Sequence, residues 1–527
     1  MQNLKTRISE PFARIDHKYF NCGGAQIVSY LRYKGFPIEL LFYNCLEEPQ
    51  NLYHEMIMKN TSRWSYDFHN LLEDDMSCIG LQKNVRTINP KEPPESIREI
   101  LAGHEAVFVS NDLFYIPHRD EYRSRNAAHW VMITEVHPES GTYTILDEKY
   151  HYFSLFEYEE AVINEAFANG NKTIIYFNSI PPRYDRLKSK YQLFFENYDV
   201  QADAFFGTIM PLLDDDIRHG HFQNSDKWFH ALHFFSGSIH ITKQFLSYIH
   251  SPQAQLDHLD QITKTAENLA SMMKKFELTR KMNFEVLEDK LTKLNESFRL
   301  FATYIKSSEF FHHLEHLDFG QLISAHESSE IVTKEINDAV HTEMANRKFH
   351  YVDLLPYFNN QAFGDPESNA DLTGAGEFFL LENEGAFPES SLSTDHLSFV
   401  LPVPLGYKND NISCQDQQID VEEAVYDEIS ILGCAEWGDQ VTELVLGFED
   451  GDTEPISVTI TDWVWDPRYG ETPVISNRIQ RKVPNAFVPD IGHLFGAKYR
   501  IQNKKKLNKI VLPYCPCLHI FAVTLGS

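Results

Sequence analysis

The sequence predicts an α+β protein, on three observations taken in chain order. Residues 1–182 combine a few helical patterns with apolar, β-rich runs such as AVFVSNDLFYI (106–116) and TIIYF (173–177). Residues 183–350 repeat apolar side chains at helical spacing, and residues 351–527 break into short β-like runs separated by Asp, Asn, Gly and Pro. These patterns predict an N-terminal domain of mixed helices and strands, a central helical domain and a C-terminal β-sandwich domain.

The boundaries and the helical region depend on local signals. Pro181 and Pro182 interrupt the chain where the first region ends. The segment 227–249 is one long apolar stretch with a helical repeat. A second predicted helix carries a stripe of apolar residues spaced three and four apart, which is typical of a buried helix face: Phe284, Leu287, Leu291, Leu294 and Phe298.

The C-terminal region has the pattern of a β-sandwich. Apolar runs such as ISVTITDWVW (456–465) and KIVLPY (509–514) recur at short intervals. FEDGDTEP (448–455) is a plausible hairpin connection within this series. We therefore expect consecutive antiparallel strands on both sides of 450.

Composition excludes several classes of function. A chain of 527 residues exceeds one ordinary core, and its 43% hydrophobic content argues against disorder. With 76 acidic and 47 basic residues the net charge is −29, which disfavours nucleic acid as a partner. Seven dispersed cysteines do not form a secreted disulfide framework, and neither a signal-peptide core nor an apolar run of spanning length is visible. We expect a cytoplasmic protein with reduced thiols and no membrane association.

Cys22 is the candidate nucleophile. It lies in FNCGGAQIVSYL (20–31), directly before an apolar helical pattern, so its sulfur should lie at a helix N-terminus. Unpaired N–H groups and the positive end of the helix dipole favour a thiolate there. Gly23 and Gly24 remove side chains beside the sulfur and leave room for a carbonyl group. The alternative is a small buried cysteine without chemistry.

His129 and Asp147 are the candidate partners of Cys22. His129 opens the strand HWVMITEV, and Asp147 ends the next one, after a connection containing HPESG (137–141). If these strands form a hairpin, a carboxylate could orient the imidazole while its other nitrogen faces the thiol. A structural histidine and a turn-forming aspartate are the alternatives. The chain order Cys, His, Asp is that of papain-type enzymes.

Two segments carry a family resemblance. DHKYFNCGGAQIVSYLRYKGFPIELLF (16–42) and VFVSNDLFYIPHRDEYRSRNAAHWVMITEVHPESGTYTILDE (107–148) resemble the butirosin biosynthesis protein H family of papain-like acyltransferases. The resemblance covers roughly the first third of the chain. It implies a papain-like cysteine domain in which Cys22 is the nucleophile, His129 the base and acid, and Asp147 the orienting group. The C-terminal sandwich is an addition that resembles accessory domains of carbohydrate-active enzymes.

The resemblance implies acyl or aminoacyl transfer in the biosynthesis of an antibiotic-like natural product, beside a nonribosomal peptide or polyketide system. The donor would be a thioester on the phosphopantetheine of an acyl or peptidyl carrier protein, and the acceptor an amine or hydroxyl of a small molecule. No bound cofactor is expected. One alternative is a papain-like cysteine peptidase or thioesterase; another is a non-catalytic binding or assembly protein that works through its sandwich.

Three further sequence features bear on the oxyanion donors, on carrier-protein docking and on metal binding. Papain-type enzymes often place Gln six residues before the nucleophile, where this chain has Asp16; the oxyanion donors would instead be the Cys22 N–H and Asn21. An arginine cluster near the site could dock an acidic carrier protein: Arg119, Arg123 and Arg125. His312 and His316 are four apart on a probable helix, but no third ligand is evident, so no metal site is predicted.

Overall fold

The structure is a computed structural model with helices and sheets, which confirms the predicted α+β class. It describes residues 15, 18–66, 70–88, 93–119, 121–149, 152–220, 222–324, 348–365, 367–381, 391–394, 397–401, 405, 408–481 and 491–527. Asp16, where papain-type enzymes often have Gln, lies outside these residues.

Over the described residues the chain divides into two compact units. The first unit falls within Met1–Phe205, Phe234–Thr263 and Glu296–Glu335. The second unit falls within Phe206–His233, Lys264–Asn295 and Ile336–Ser527. The predicted helical region, 183–350, therefore contributes residues to both units.

The first unit is built on a six-stranded antiparallel sheet in the order β1-β6-β2-β3-β4-β5. The buried side chains of these strands and of the helices packed on them form one apolar core, which includes Ile97, Val109, Ile133, Ile145 and Phe167. The strands are β1 (Leu81–Thr87), β2 (Val107–Asp112), β3 (Ala128–His137), β4 (Thr142–Lys149), β5 (Tyr152–Glu159) and β6 (Thr173–Ser179).

The hairpin between β3 and β4 positions the candidate site. Met132 pairs with Leu146, and the register shifts once, between Ile133 and Glu135. The connection ends at Gly141, whose φ of 68° lies in the left-handed region that glycine adopts without strain. The predicted hairpin thus returns the chain toward the start of β3.

Helix α1 (Cys22–Tyr33) follows the apolar pattern seen in the sequence. Val28 and Leu31 are buried, together with Ala25 and Ile27, whereas Tyr33 at its end is exposed. Arg32 lies in the last turn of α1, and Lys34 is its C-cap. The helix ends there because the next residue, Gly35, adopts a left-handed conformation with a φ of 77°.

The helices after the sheet confirm the helical character of the central region. The apolar stripe from Leu287 to Phe298 is buried in α11 (Phe284–Ile305), as expected from its spacing. The other helices are α2 (Pro49–Leu52), α3 (Glu73–Cys78), α4 (Pro93–Gly103), α5 (Glu160–Asn169), α6 (Asp185–Asn197), α7 (Asp203–Gly207), α8 (Ile209–His219), α9 (Gln223–Tyr248), α10 (Gln253–Thr279) and α12 (Ser308–Glu315). None of the helices in the described parts of the chain has both the length and the apolarity needed to cross a bilayer.

The second unit contains two larger sheets. One follows the order β12-β20-β14-β18-β17-β9-β8, with β7 beside β20, and the other the order β13-β19-β15-β16. The strands are β7 (Phe349–Tyr351), β8 (Phe363–Gly364), β9 (Glu377–Leu380), β10 (Ser391–Ser393), β11 (Ser398–Val400), β12 (Ile412–Gln415), β13 (Gln418–Ala424), β14 (Glu428–Ala435), β15 (Gln440–Phe448), β16 (Thr453–Ile460), β17 (Thr472–Arg481), β18 (Ile491–Arg500), β19 (Leu507–Val511) and β20 (Tyr514–Gly526).

These two sheets share one apolar core, which confirms the predicted C-terminal β-sandwich. Ile431 and Ile520 of one sheet belong to the same buried cluster as Leu446 and Ile510 of the other. The hairpin predicted around FEDGDTEP joins β15 to β16, and Gly451 within it has a φ of 89°.

Candidate active site

Cys22 occupies the first position of α1. Asn21 is the N-cap, and its side-chain oxygen accepts a hydrogen bond of 2.8 Å from the Gly24 N–H. Cys22 is partly exposed, whereas the chain's other free cysteines are buried. The structure therefore places the predicted nucleophile at a helix start with access to solvent.

His129 lies beside Cys22, at the start of β3. Its Nε2 is 2.7 Å from Oδ1 of Asp147, and its imidazole is close enough to Cys22 for the two groups to shift each other's pKa. Because Nε2 faces Asp147, Nδ1 is the nitrogen left for the sulfur. His129 is 2% exposed and Asp147 is fully buried. The structure thus brings the three predicted side chains together, with a hydrogen bond between His129 and Asp147 and the Cys22 thiol beside the imidazole.

The charges of the three groups support one another. Burial raises the pKa of the Cys22 thiol, but the charge and hydrogen bond of His129 outweigh it and leave the pKa lowered. Burial lowers the pKa of His129, but the charges of Asp147 and Cys22 raise it to about 10. Burial also raises the pKa of the Asp147 carboxyl, yet His129 holds it well below its usual range. Between the lowered pKa of Cys22 and the raised pKa of His129, the favoured state is a thiolate–imidazolium pair backed by a carboxylate.

Two buried cysteines of the sandwich have no imidazole that offsets the effect of burial on the thiol pKa. Burial raises the pKa of the thiols of Cys434 and Cys517 well above the usual value, and nearby carboxylates add to that effect. A thiol in such surroundings is inert as a nucleophile. Cys22 differs because an imidazole, not a carboxylate, is its nearest charged neighbour.

Asp147 is held by more groups than the sequence indicated. Its Oδ1 accepts hydrogen bonds from Gln26 Nε2 (2.9 Å) and from the main-chain N–H of Glu148 (2.7 Å), besides that of His129. Its Oδ2 lies 3.0 Å from Nε2 of His118. With both oxygens engaged, the carboxylate cannot rotate away from His129.

His118 is itself fixed on its other side. Its Nδ1 lies 3.0 Å from the Tyr158 hydroxyl, and its ring stacks on Phe156 with centroids 3.7 Å apart. Sequence reasoning missed His118 because it lies in a loop with no spacing relation to His129. Gln26 carried a weak signal, since it follows Cys22 by one helical turn and so shares its face.

Trp130, a residue of β3, packs against the start of α1 beside Cys22. Its main-chain N–H helps to lower the pKa of the Cys22 thiol, and its carbonyl accepts a hydrogen bond from Gln26 Nε2 at 2.8 Å. A Cβ added at Gly23 would be only 2.6 Å from Cδ1 of the Trp130 indole. Gly23 is therefore required by this packing, a reason different from the access of a substrate inferred from the sequence.

The three predicted docking arginines have different surroundings. Arg119 is largely buried and donates a 2.6 Å hydrogen bond to the Glu148 carbonyl. Arg123 is exposed, with its guanidinium over the rings of Phe114 and Tyr115 at 5.5 and 5.4 Å. Arg125 is exposed. The docking role remains a prediction, and Arg123 and Arg125 are the members whose charge faces solvent.

Comparisons with known proteins address both ends of the chain. The family model of the AziU2-like β-sandwich domain matches residues 347–527. This chain is also similar to a curated transferase of Niallia circulans, with 24% identity over 310 residues, covering 56% of this chain and 98% of that protein. Its name describes transfer of 4-(gamma-L-glutamylamino)-(S)-2-hydroxybutanoate from the BtrI acyl-carrier protein to ribostamycin. The resemblance to the butirosin biosynthesis protein H family is confirmed.

The similarity to the Niallia circulans transferase extends beyond the C-terminal domain. An alignment of 310 residues is longer than the C-terminal match, so it includes residues that precede 347. Among solved structures, a family GH115 4-O-methyl-alpha-glucuronidase covers 66% of this chain and 40% of its own, with a TM-score of 0.14 and 8% identity. That value is too low to inform the fold.

Proposed function

We propose that this protein is a cysteine-dependent acyltransferase, with a papain-like first unit, that moves an acyl or aminoacyl group from a carrier-protein thioester to a small-molecule amine or hydroxyl. The observation that carries the proposal is the grouping of a partly exposed Cys22 sulfur, the His129 imidazole beside it and the Asp147 carboxylate hydrogen-bonded to that imidazole. Such a series combines a nucleophile, a base and an orienting carboxylate.

In the first half-reaction the Cys22 thiolate attacks the thioester carbonyl carbon of the donor. Collapse of the tetrahedral adduct breaks the bond to the pantetheine sulfur, and the His129 imidazolium gives its proton to that leaving thiolate. The product is a new thioester on Cys22, with a neutral His129. Exchange of one thioester for another is nearly balanced in energy, which suits a transfer enzyme.

In the second half-reaction the acceptor amine or hydroxyl attacks the Cys22 thioester. Neutral His129 accepts the proton of the attacking group, and the C–S bond breaks to release Cys22 as a thiolate. The thiolate–imidazolium pair is thereby restored. Asp147 remains ionised throughout and stabilises the imidazolium by accepting its Nε2–H.

The first turn of α1 offers donors for the developing oxyanion. The N–H groups of Cys22 and Gly23 stand at the first two helical positions, where no intrahelical acceptor exists. The Asn21 oxygen is used by the cap, which leaves its side-chain NH2 as a further donor. We assign the oxyanion site to the Cys22 N–H and the Asn21 amide.

The Niallia circulans transferase supports the choice of donor and acceptor. That protein takes its acyl group from an acyl-carrier protein and gives it to ribostamycin, a small molecule. We extend this reaction class to the present chain, with an acyl or peptidyl carrier protein as partner, in a pathway of antibiotic type. Arg123 and Arg125 are the proposed contacts for an acidic carrier, and no resident cofactor is needed for either step.

The test is to incubate the protein with an acyl-loaded carrier protein and to measure its intact mass. We expect an added acyl mass that maps to Cys22, absent in Cys22→Ala and retained in the matched variant Cys78→Ala, whose sulfur is buried. Supplying an amine acceptor should then discharge the adduct as an acylated amine. Discharge to the free acid alone would favour a thioesterase, and an unlabelled, inert Cys22 would favour a non-catalytic role.

A further inference from the structure

Helix α12 is held rigidly along one side. Ser307 caps it by accepting from the Phe310 N–H at 3.1 Å, and Phe310 and Leu314 are fully buried. The Phe310 ring meets Phe195 edge to face, with centroids 4.9 Å apart. The opposite side of this short helix is therefore presented to solvent in a fixed orientation.

Three potential metal ligands share that opposite side: His312, Glu315 and His316. All three are exposed, and one ligand atom of each lies within 4.8 Å of the others. Nδ1 of His316 is 2.8 Å from the His312 carbonyl, so its Nε2 points away from the helix and is available. The spacing of three and four residues places them on one face.

We propose that His312, Glu315 and His316 form a binding site for a divalent transition-metal ion, with Zn²⁺ as the reference ion. Two imidazoles and one carboxylate are the ligand set that Zn²⁺, Cu²⁺ and Ni²⁺ accept, whereas Mg²⁺ and Ca²⁺ prefer oxygen alone. Three protein ligands leave the remaining coordination positions to water. The sequence indicated only the two histidines, and Glu315 is the third ligand that it did not reveal.

Two neighbouring residues, His313 and Lys188, lie close to the three proposed ligands but supply no ligand atom. His313 points elsewhere, because its Nε2 is 2.7 Å from the Ile249 carbonyl. The Lys188 ammonium donates to the Glu315 carbonyl at 2.8 Å and brings a positive charge near the cluster. That charge weakens cation binding without occupying a ligand atom, so an exchangeable ion is expected in place of a permanently bound one.

The experiment titrates the full-length Cys22→Ala protein with Zn²⁺ against a chromophoric chelator, since this variant removes the thiol of the other candidate site. We expect one equivalent of Zn²⁺ whose affinity falls about tenfold or more in His312→Ala and in His316→Ala. Glu315→Gln should weaken binding to a smaller extent. The matched control is His219→Ala, which removes an exposed histidine that has one carboxylate neighbour, Asp215, on its helix.

The three proposed ligands and the control residue His219 are exposed, so circular dichroism should show that their substitution leaves the fold unchanged. Equal Zn²⁺ affinity in the starting protein and in a His312→Ala, His316→Ala double variant would overturn the proposal. Loss of the same equivalent in His219→Ala would do so too, because binding would then be a general property of surface histidines. Displacement by millimolar Mg²⁺ would contradict the proposed class of ion.

Discussion

The His118 imidazole lies 3.0 Å from Oδ2 of Asp147, on the side of the carboxylate opposite to His129. The Asp147 carboxylate therefore binds two imidazoles, and of these two it is His129 that lies beside Cys22. The His118 hydrogen bond lowers the pKa of Asp147 and helps to keep it ionised despite full burial. His118 acts through Asp147, which makes it a positioning residue.

Replacing His118 by Phe should keep the stack on Phe156 and remove the hydrogen bond to Asp147. We expect kcat/KM to fall about tenfold, which corresponds to the ~1.4 kcal/mol of a hydrogen bond to a charged group, with little change in KM. Because the pKa of Asp147 rises, the acidic limb of the pH–rate profile should move to higher pH. Tyr158→Phe, which removes only the outer hydroxyl, is the milder control. An unchanged profile in His118→Phe would show that His118 merely fills space.

The grouping of the three candidate residues could be predicted from the sequence for a physical reason. Cys22 precedes an apolar helical pattern, and His129 and Asp147 lie on two strands joined by a short connection, so local signals placed all three. His118 and Gln26 were not accessible in the same way, because their contacts with Asp147 span 29 and 121 positions and depend on tertiary packing.

The fold shows the same division between local and long-range information. The stripe in α11 and the β15–β16 hairpin depend on patterns within a few residues, and both could be predicted. The order β1-β6-β2-β3-β4-β5 could not, since it places β6 between β1 and β2 through pairings far apart in the chain.

The pH dependence of Cys22 alkylation follows from the two shifted pKa values. The Cys22 pKa is lowered, so the thiolate persists below the usual thiol pKa; the His129 pKa is raised to about 10, so the imidazolium persists above neutrality. Between the two values both groups are charged. The rate of iodoacetamide labelling of Cys22 should therefore rise with a pH midpoint below that of an ordinary thiol, as measured by peptide mass spectrometry.

His129→Ala is the comparison for that measurement. Without the imidazolium, burial raises the thiol pKa, so labelling should become slow at pH 6.5 and rise about tenfold per pH unit toward pH 8. Equal pH midpoints of labelling in the wild type and in His129→Ala would contradict the ion pair.

Gly23→Ala tests the contact between α1 and Trp130. The new Cβ would meet the indole at 2.6 Å, so the ring or the helix start must move. We expect a loss of about 1–3 kcal/mol in the free energy of unfolding, and slower alkylation of Cys22 because the Trp130 N–H shifts from the sulfur. Urea unfolding measures the first effect. Gly103→Ala, where no atom lies within 4 Å of the added Cβ, should change neither quantity.

Asn21 has two separable roles, as N-cap of α1 and as proposed oxyanion donor. Asn21→Ser retains an acceptor for the Gly24 N–H but lacks the amide NH2, so stability should stay near the wild-type value. Asn21→Ala loses both functions and should cost about 1 kcal/mol in unfolding free energy. If the amide stabilises the oxyanion, both variants should lose about 100-fold in kcat, measured in single-turnover acylation of Cys22. Full activity in Asn21→Ser beside a destabilised Asn21→Ala would limit Asn21 to capping and leave the oxyanion to main-chain N–H groups.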